Sequence, residues 1–180
     1  VSLLSTRQSI YWVAISASFI NYFGEVVMDL ILQPLAATKS IALIAHDNRK
    51  KHLIAWCQAH EAVLNKHSLF ATGTTGALIE GATQLSLTKL MSGPLGGDQQ
   101  VGALIAEGKI DVLIFFWDPF EPLPHDPDVK ALLRVAAVWD VAVACTELTA
   151  NFLIQSPLFN AACERRVPDY GRYLSERVDE

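Results

Sequence analysis

The chain has 180 residues, is 51% apolar and carries a formal net charge of −5 at pH 7. That length suits one globular domain with a full core, and an acidic chain without a dense basic stripe is not built to bind a nucleic-acid backbone. Its three cysteines, Cys57, Cys145 and Cys163, are far apart and lack metal-ligand spacing, which excludes a disulfide framework and a zinc site and fits a reducing cytoplasm.

The first 39 residues read differently from the rest. Residues 9–24 are apolar and aromatic but show no clear helix or strand period. A membrane span needs about 20 apolar residues in a row, and Asn21, Glu25 and Asp29 interrupt this stretch. A secretory leader would show a small-residue cleavage pattern ahead of a domain with disulfide logic. The expectation is an extension over residues 1–27, either an upstream start or poorly ordered, followed by a single domain over residues 28–180. No membrane partner is expected.

From residue 40 onward, short apolar runs alternate with longer amphipathic segments. Strands are predicted at residues 40–45, 67–71, 88–91, 111–116 and 141–145, each followed by a helix, at 48–64, 75–82, 99–107, 127–139 and 147–155. The tail from Pro157 reads as one more helix or a strand and helix with a charged end. Alternation of this kind predicts βαβ units, a mainly parallel sheet and a doubly wound, Rossmann-like three-layer α/β domain. Runs such as Val112-Leu113-Ile114-Phe115-Phe116 are apolar on both faces, as helix-covered strands require.

In such a sheet every strand-to-helix turn lies on the carboxyl edge, where ligands bind. The turns here carry His46-Asp47, Thr72-Gly73-Thr74-Thr75-Gly76, Ser92-Gly93-Pro94-Leu95-Gly96-Gly97-Asp98-Gln99-Gln100, Asp118-Pro119 and Pro124-His125-Asp126-Pro127-Asp128. Asp47, Thr74 or Thr75, Asp98 and Asp126 all suit helix N-caps, and capping alone would explain them singly. Glycine density is harder to explain that way. Several unscreened N–H groups at a helix start make a small anion site suited to a phosphate monoester. The spacing is neither a dinucleotide fingerprint nor a Walker loop. Lys50 adds a point charge or is simply solvated within Arg49-Lys50-Lys51. His46 and His125 stand beside carboxylates, where histidine can share a proton near neutrality. His52, His60 and His67 read as structural or solvated.

Together the segments Ala45-His46-Asp47, Ala71 to Gly76, Ser92 to Gln100 and Pro124 to Asp128 resemble the methylglyoxal synthase family. The likeness runs from about Ser40 to Arg177, and the family's usual start falls near Met28. The resemblance implies a carbon-oxygen lyase that converts glycerone phosphate to methylglyoxal and inorganic phosphate with no metal and no organic cofactor. It implies Asp98 as general base, His125 against the carbonyl and enediolate oxygens, and Asp128 orienting the site. His46 and Asp47 would line the pocket, while Lys50, Thr72, Gly73, Thr74, Thr75, Ser92 and Gly93 hold the phosphate. Arg177 would reach the phosphate of a neighbouring subunit in a homohexamer whose allosteric kinetics respond to inorganic phosphate. The alternative from another class is a non-catalytic regulatory domain of the same fold that binds a phosphorylated effector. Such a sensor has no need of Asp98, His125 and Asp128 together.

Overall fold

A strand covered by helices on both sides must be apolar throughout, and the central strand of this protein shows how that requirement is met. The computed structural model describes residues 28–120 and 126–178; the expected extension over residues 1–27 lies outside the described residues. The elements are β1 (Leu30–Leu35), β2 (Ser40–Ala45), α1 (Lys50–Ala59), α2 (Glu61–Leu64), β3 (Ser68–Thr72), α3 (Gly73–Ala82), β4 (Leu87–Leu90) and α4 (Gly97–Ala106). They continue with β5 (Val112–Phe116), α5 (Asp126–Val138), β6 (Ala142–Ala144), α6 (Glu147–Gln155), β7 (Cys163–Pro168) and α7 (Tyr170–Val178). Five strands form one parallel sheet in the order β4-β3-β2-β5-β6.

Alternate residues of β2 serve opposite cores. Ile41, Leu43 and Ala45 pack with Leu53 and Trp56 of α1, Ile79 of α3 and Ile154 of α6. Ala42 and Ile44 pack instead with Val101 and Ile105 of α4 and with Leu132 and Ala136 of α5. The three-layer expectation holds. The chain leaves β2 for β3 and β4 on one side, then returns to β5 and β6 on the other. Strand order therefore reverses between β2 and β5, which opens a crevice above their carboxyl ends.

Several expectations are corrected. A first regular strand precedes residue 40: β1 pairs antiparallel with β7, Gln33 opposite Arg165, in a separate two-stranded ribbon. Pro34 inside the run argues against a strand, and the pairing partner lies at the far end of the chain. The single helix predicted over 48–64 is divided: a 3-10 turn (Asp47–Arg49) leads into α1, and His60, at φ −115° and ψ 14°, separates α1 from α2. The tail does form a strand and a helix, β7 and α7.

A buried cation joins the ribbon to the sheet. Arg165 is only 4% exposed. Its Nε donates to Gln33 Oε1 at 2.9 Å and its Nη1 to the Ile110 carbonyl at 3.1 Å, with Asp111 Oδ1 at 3.9 Å. Asp111 Oδ2 in turn accepts the Ser40 N–H at 2.9 Å. Removing the guanidinium strands these acceptors, so Arg165→Ala is expected to destabilise the fold by about 3–5 kcal/mol in urea unfolding. A loss under about 1 kcal/mol would show that the joint contributes little to stability.

Candidate active site

The first turns of α3 and α4 converge on the backbone between β4 and α4, and glycine makes their approach possible. A Cβ on Gly97 would lie 2.1 Å from the Met91 carbonyl oxygen, so α4 can begin here only with glycine. Met91 is then held from three sides. Its N–H donates to Gln100 Oε1 at 2.7 Å, its carbonyl accepts the Gly73 N–H at 3.3 Å, and Gly97 packs against it. Ser92 follows, its carbonyl accepting the N–H groups of Leu95 and Gly97 at 2.9 and 3.0 Å. Gly96 takes φ 95°, a left-handed conformation that glycine adopts without a Cβ penalty.

Capping turns out not to be what the polar turn residues do. Gly96 is the N-cap of α4, which places Asp98 inside its first turn. Thr72 is the N-cap of α3, with no side-chain cap bond, and α3 begins at Gly73, two residues before the predicted start. Thr74 Oγ1 bonds Ser92 Oγ at 3.1 Å, and Thr72 Oγ1 donates to Thr75 Oγ1 at 3.3 Å. Asp47 lies in the 3-10 turn after its N-cap His46 and pairs with Lys50. Thr74 and Ser92 therefore meet between the start of α3 and the turn that leads into α4, while Thr72 and Thr75 pair within the start of α3.

One pocket of about 320 Å³ gathers His46, Asp47, Lys50, Thr72, Thr74, Thr75, Ser92, Gly93 and Asp98, together with Ile44, Ala45 and Pro94. Asp98 is 5% exposed. Its Oδ2 lies 3.3 Å from where a Gly93 Cβ would stand, so any larger residue at 93 would crowd the carboxylate. Thr74, Thr75 and Asp98, in the first turns of α3 and α4, bring the positive ends of two helix dipoles to this volume. Chemically, that is a buried carboxylate beside two helix starts and four hydroxyl side chains.

Other expected residues stand elsewhere. Gly73 is in the first turn of α3, its N–H directed to Met91. Asp128 lies half-buried in the first turn of α5. His125 lies outside the described residues. Arg177 is exposed near the end of α7, 4.4 Å over the Tyr173 ring, and does not line the pocket of its own chain. His67 is structural as expected, its Nδ1 accepting the Lys39 N–H at 3.0 Å. No cysteine lines the pocket, and burial pushes Cys57 up to about 12 and also raises Cys145. Among the described residues no three His, Cys, Asp or Glu cluster as for a metal, and no described helix is long and apolar enough to cross a membrane.

Sequence reasoning missed two residues here. Gln100 clamps Met91, and Asp118 touches His46 through an N–H donated to Nδ1 at 3.3 Å. Both stand within turns already marked by their glycines or prolines, yet an amide or carboxylate in a turn does not announce its distant partner.

Comparison with known proteins follows the same outline. A family model described as an MGS-like domain matches residues 52–145. A methylglyoxal synthase of Cellvibrio japonicus (strain Ueda107) is 61% identical over 151 residues, spanning 84% of this chain and 98% of its own length. One from Photorhabdus laumondii subsp. laumondii is 56% identical, over 84% of this chain and 99% of its own. The crystal structure of methylglyoxal synthase from Elizabethkingia anophelis NUHP1 aligns with a TM-score of 0.75 at 49% identity, covering 80% of this chain and 95% of that one.

The close approach at Gly97 can be tested directly. Gly97→Ala should lower the thermal midpoint, by the equivalent of about 1–3 kcal/mol, and weaken inorganic phosphate binding in calorimetry. Gly81→Ala, in α3 with nothing within 4 Å of the added methyl, should be neutral or stabilising by about 0.5–1 kcal/mol. Equal behaviour of the two variants would refute the steric argument.

Proposed function

The chain belongs to the methylglyoxal synthase family, and from that premise we propose that its pocket converts glycerone phosphate to methylglyoxal and inorganic phosphate with Asp98 as the base. One observation supports this reading above the rest: a buried carboxylate shares a small pocket with two helix N-termini and four hydroxyl side chains, those of Thr72, Thr74, Thr75 and Ser92. A phosphate held by the first turns of α3 and α4 leaves the three-carbon body of the substrate beside Asp98. The carboxylate takes a proton from the hydroxymethyl carbon next to the ketone, and the electron pair moves onto the carbonyl oxygen as an enediolate. Donors preorganised around that oxygen stabilise the charge as it grows. His46 lines the pocket at this point, and His125 and Asp128 complete the site.

The enediolate next expels the phosphate. The hydroxyl on the deprotonated carbon passes its proton to the oxyanion and its oxygen closes the aldehyde carbonyl, the double bond shifts to the phosphate-bearing carbon, and the carbon-oxygen bond to phosphate breaks with its pair going to the leaving group; the resulting enol then takes a proton at its methylene and gives up its hydroxyl proton to become methylglyoxal. Overlap requires the breaking bond to stand out of the enediolate plane. The phosphate cradle therefore governs whether the intermediate eliminates or merely isomerises. No metal or organic cofactor enters this sequence.

Assembly completes the proposal. β1 exposes Leu30 and Leu32, and α7 exposes Tyr170, Leu174 and Val178 at four-residue intervals. Apolar faces of this kind offer surface for self-association, and family membership suggests the form: a homohexamer in the cytoplasm, in which Arg177 reaches the phosphate of a neighbour and inorganic phosphate acts both as product and as allosteric inhibitor.

Asp98→Asn should reduce turnover of glycerone phosphate by at least about 10²–10⁴-fold while inorganic phosphate still binds; the readout is dicarbonyl formation coupled to phosphate release. Substantial retained turnover would remove Asp98 from the role of base, and wild-type protein that binds phosphate without turnover would favour a phosphorylated-effector sensor. For the cross-subunit arginine, Arg177→Ala should raise KM about tenfold or more, the scale of a charge-assisted hydrogen bond. Mixing Arg177→Ala with Asp98→Asn chains should restore part of the activity, since some sites then combine an intact base with an intact neighbouring arginine. Absence of that recovery counts against the shared site.

A further inference from the structure

Asp118 stands at the crevice where the strand order reverses, and the structure ties it to His46 in two independent ways. After β5, the Trp117 N–H turns back to the Phe115 carbonyl at 2.9 Å, which swings Asp118 over the end of β2. There the Asp118 N–H donates to His46 Nδ1 at 3.3 Å. The Asp118 carboxylate holds the turn in that position: Oδ1 accepts the Phe120 N–H at 3.1 Å and Oδ2 accepts Asn48 Nδ2 at 3.2 Å. The first bond is an Asx turn that fixes the local backbone. The second reaches the 3-10 turn that His46 begins. Those donors, the Phe120 N–H foremost, keep the carboxylate ionised by holding it below its ordinary range.

A backbone N–H can only donate. The nitrogen that receives it must carry a lone pair, so in this arrangement the His46 ring is neutral and its proton sits on Nε2. The ring is 6% exposed and packs edge-on to Phe115, with centroids 5.1 Å apart, which restricts its reorientation. We propose that the Asp118 turn is a tautomer lock that keeps the His46 ring, part of the pocket lining, neutral with its proton on Nε2, and that Asp118 is the positioning residue that sets this state. The inference rests on the pocket being the site of enediolate formation described above. A neutral ring adds no positive charge to the pocket lining, so it leaves the basicity of Asp98, and proton removal by it, undiminished.

Nitrogen-15 magic-angle-spinning NMR on histidine-labelled protein reads the lock directly, with His46 assigned by difference against His46→Gln. Wild-type protein should show a lone-pair Nδ1 and a protonated Nε2. Asp118→Ala should let both tautomers populate and lower kcat about 10–100-fold, with a smaller change in inorganic phosphate affinity. Asp118→Asn keeps an oxygen for the Phe120 N–H and should recover both the tautomer and most of kcat. A cationic or Nδ1-protonated His46 in the wild type overturns the lock outright, whether or not any variant folds. An unchanged tautomer in an Asp118→Ala protein that has lost kcat overturns it as well. Wild-type protein with the Nε2–H tautomer but no turnover of glycerone phosphate supports the lock and refutes the functional reading instead.

Discussion

Five strands running in one direction are the constraint on which the rest of this protein depends. Parallel neighbours cannot be joined by hairpins, so each pair needs a crossover, here carried by helices on both faces. All strand exits then lie on one edge, and the helix N-termini that follow them point at the same volume. His46, Thr72, Ser92 and Asp118 are brought together by this geometry from four different strands. The two apolar cores on either side of β2 hold the edge rigid, because neither face of the sheet can shift without breaking close packing.

The pocket solves an electrostatic problem peculiar to an acidic chain. A net charge of −5 gives no general attraction for a phosphorylated substrate. Attraction is supplied locally, by helix starts and hydroxyls, and the cation lining the pocket, Lys50, is itself paired with Asp47. Neutral donors suit this chemistry. They hold a dianion without lowering the basicity of Asp98 as strongly as bare cations at short range would. In the proposed reaction proton removal falls to Asp98, and oxyanion stabilisation falls to donors on other side chains of the site.

Support for that division comes from backbone as much as from side chains. Met91 is fixed by Gln100, Gly73 and Gly97, and His46 is fixed by the Asp118 turn. In each case a main-chain group meets a side chain or a glycine from an element distant in sequence. The Arg165 joint follows the same pattern away from the pocket, attaching the ribbon that leads into α7 to the carbonyl of Ile110.

Much of this was legible in the chain itself, for stated reasons. Apolar runs of strand length separated by amphipathic segments dictated the parallel three-layer fold, since only strands covered on both faces read that way. Glycine density at the turns after β3 and β4 marked two of the segments that line the pocket, since capping requires no glycine in that number. The tertiary structure alone decided the rest. It turned Asp47, Thr74, Thr75 and Asp98 from presumed caps into pocket walls, and for α3 and α4 the reason is that a helix start shifts by two residues when a glycine can take left-handed φ or tolerate close contact. It paired β1 with β7 and placed Asp118 on His46, because such bonds join residues that no local pattern relates. Residue type and spacing determined which chemistry was available, and long-range packing determined which atoms meet to perform it.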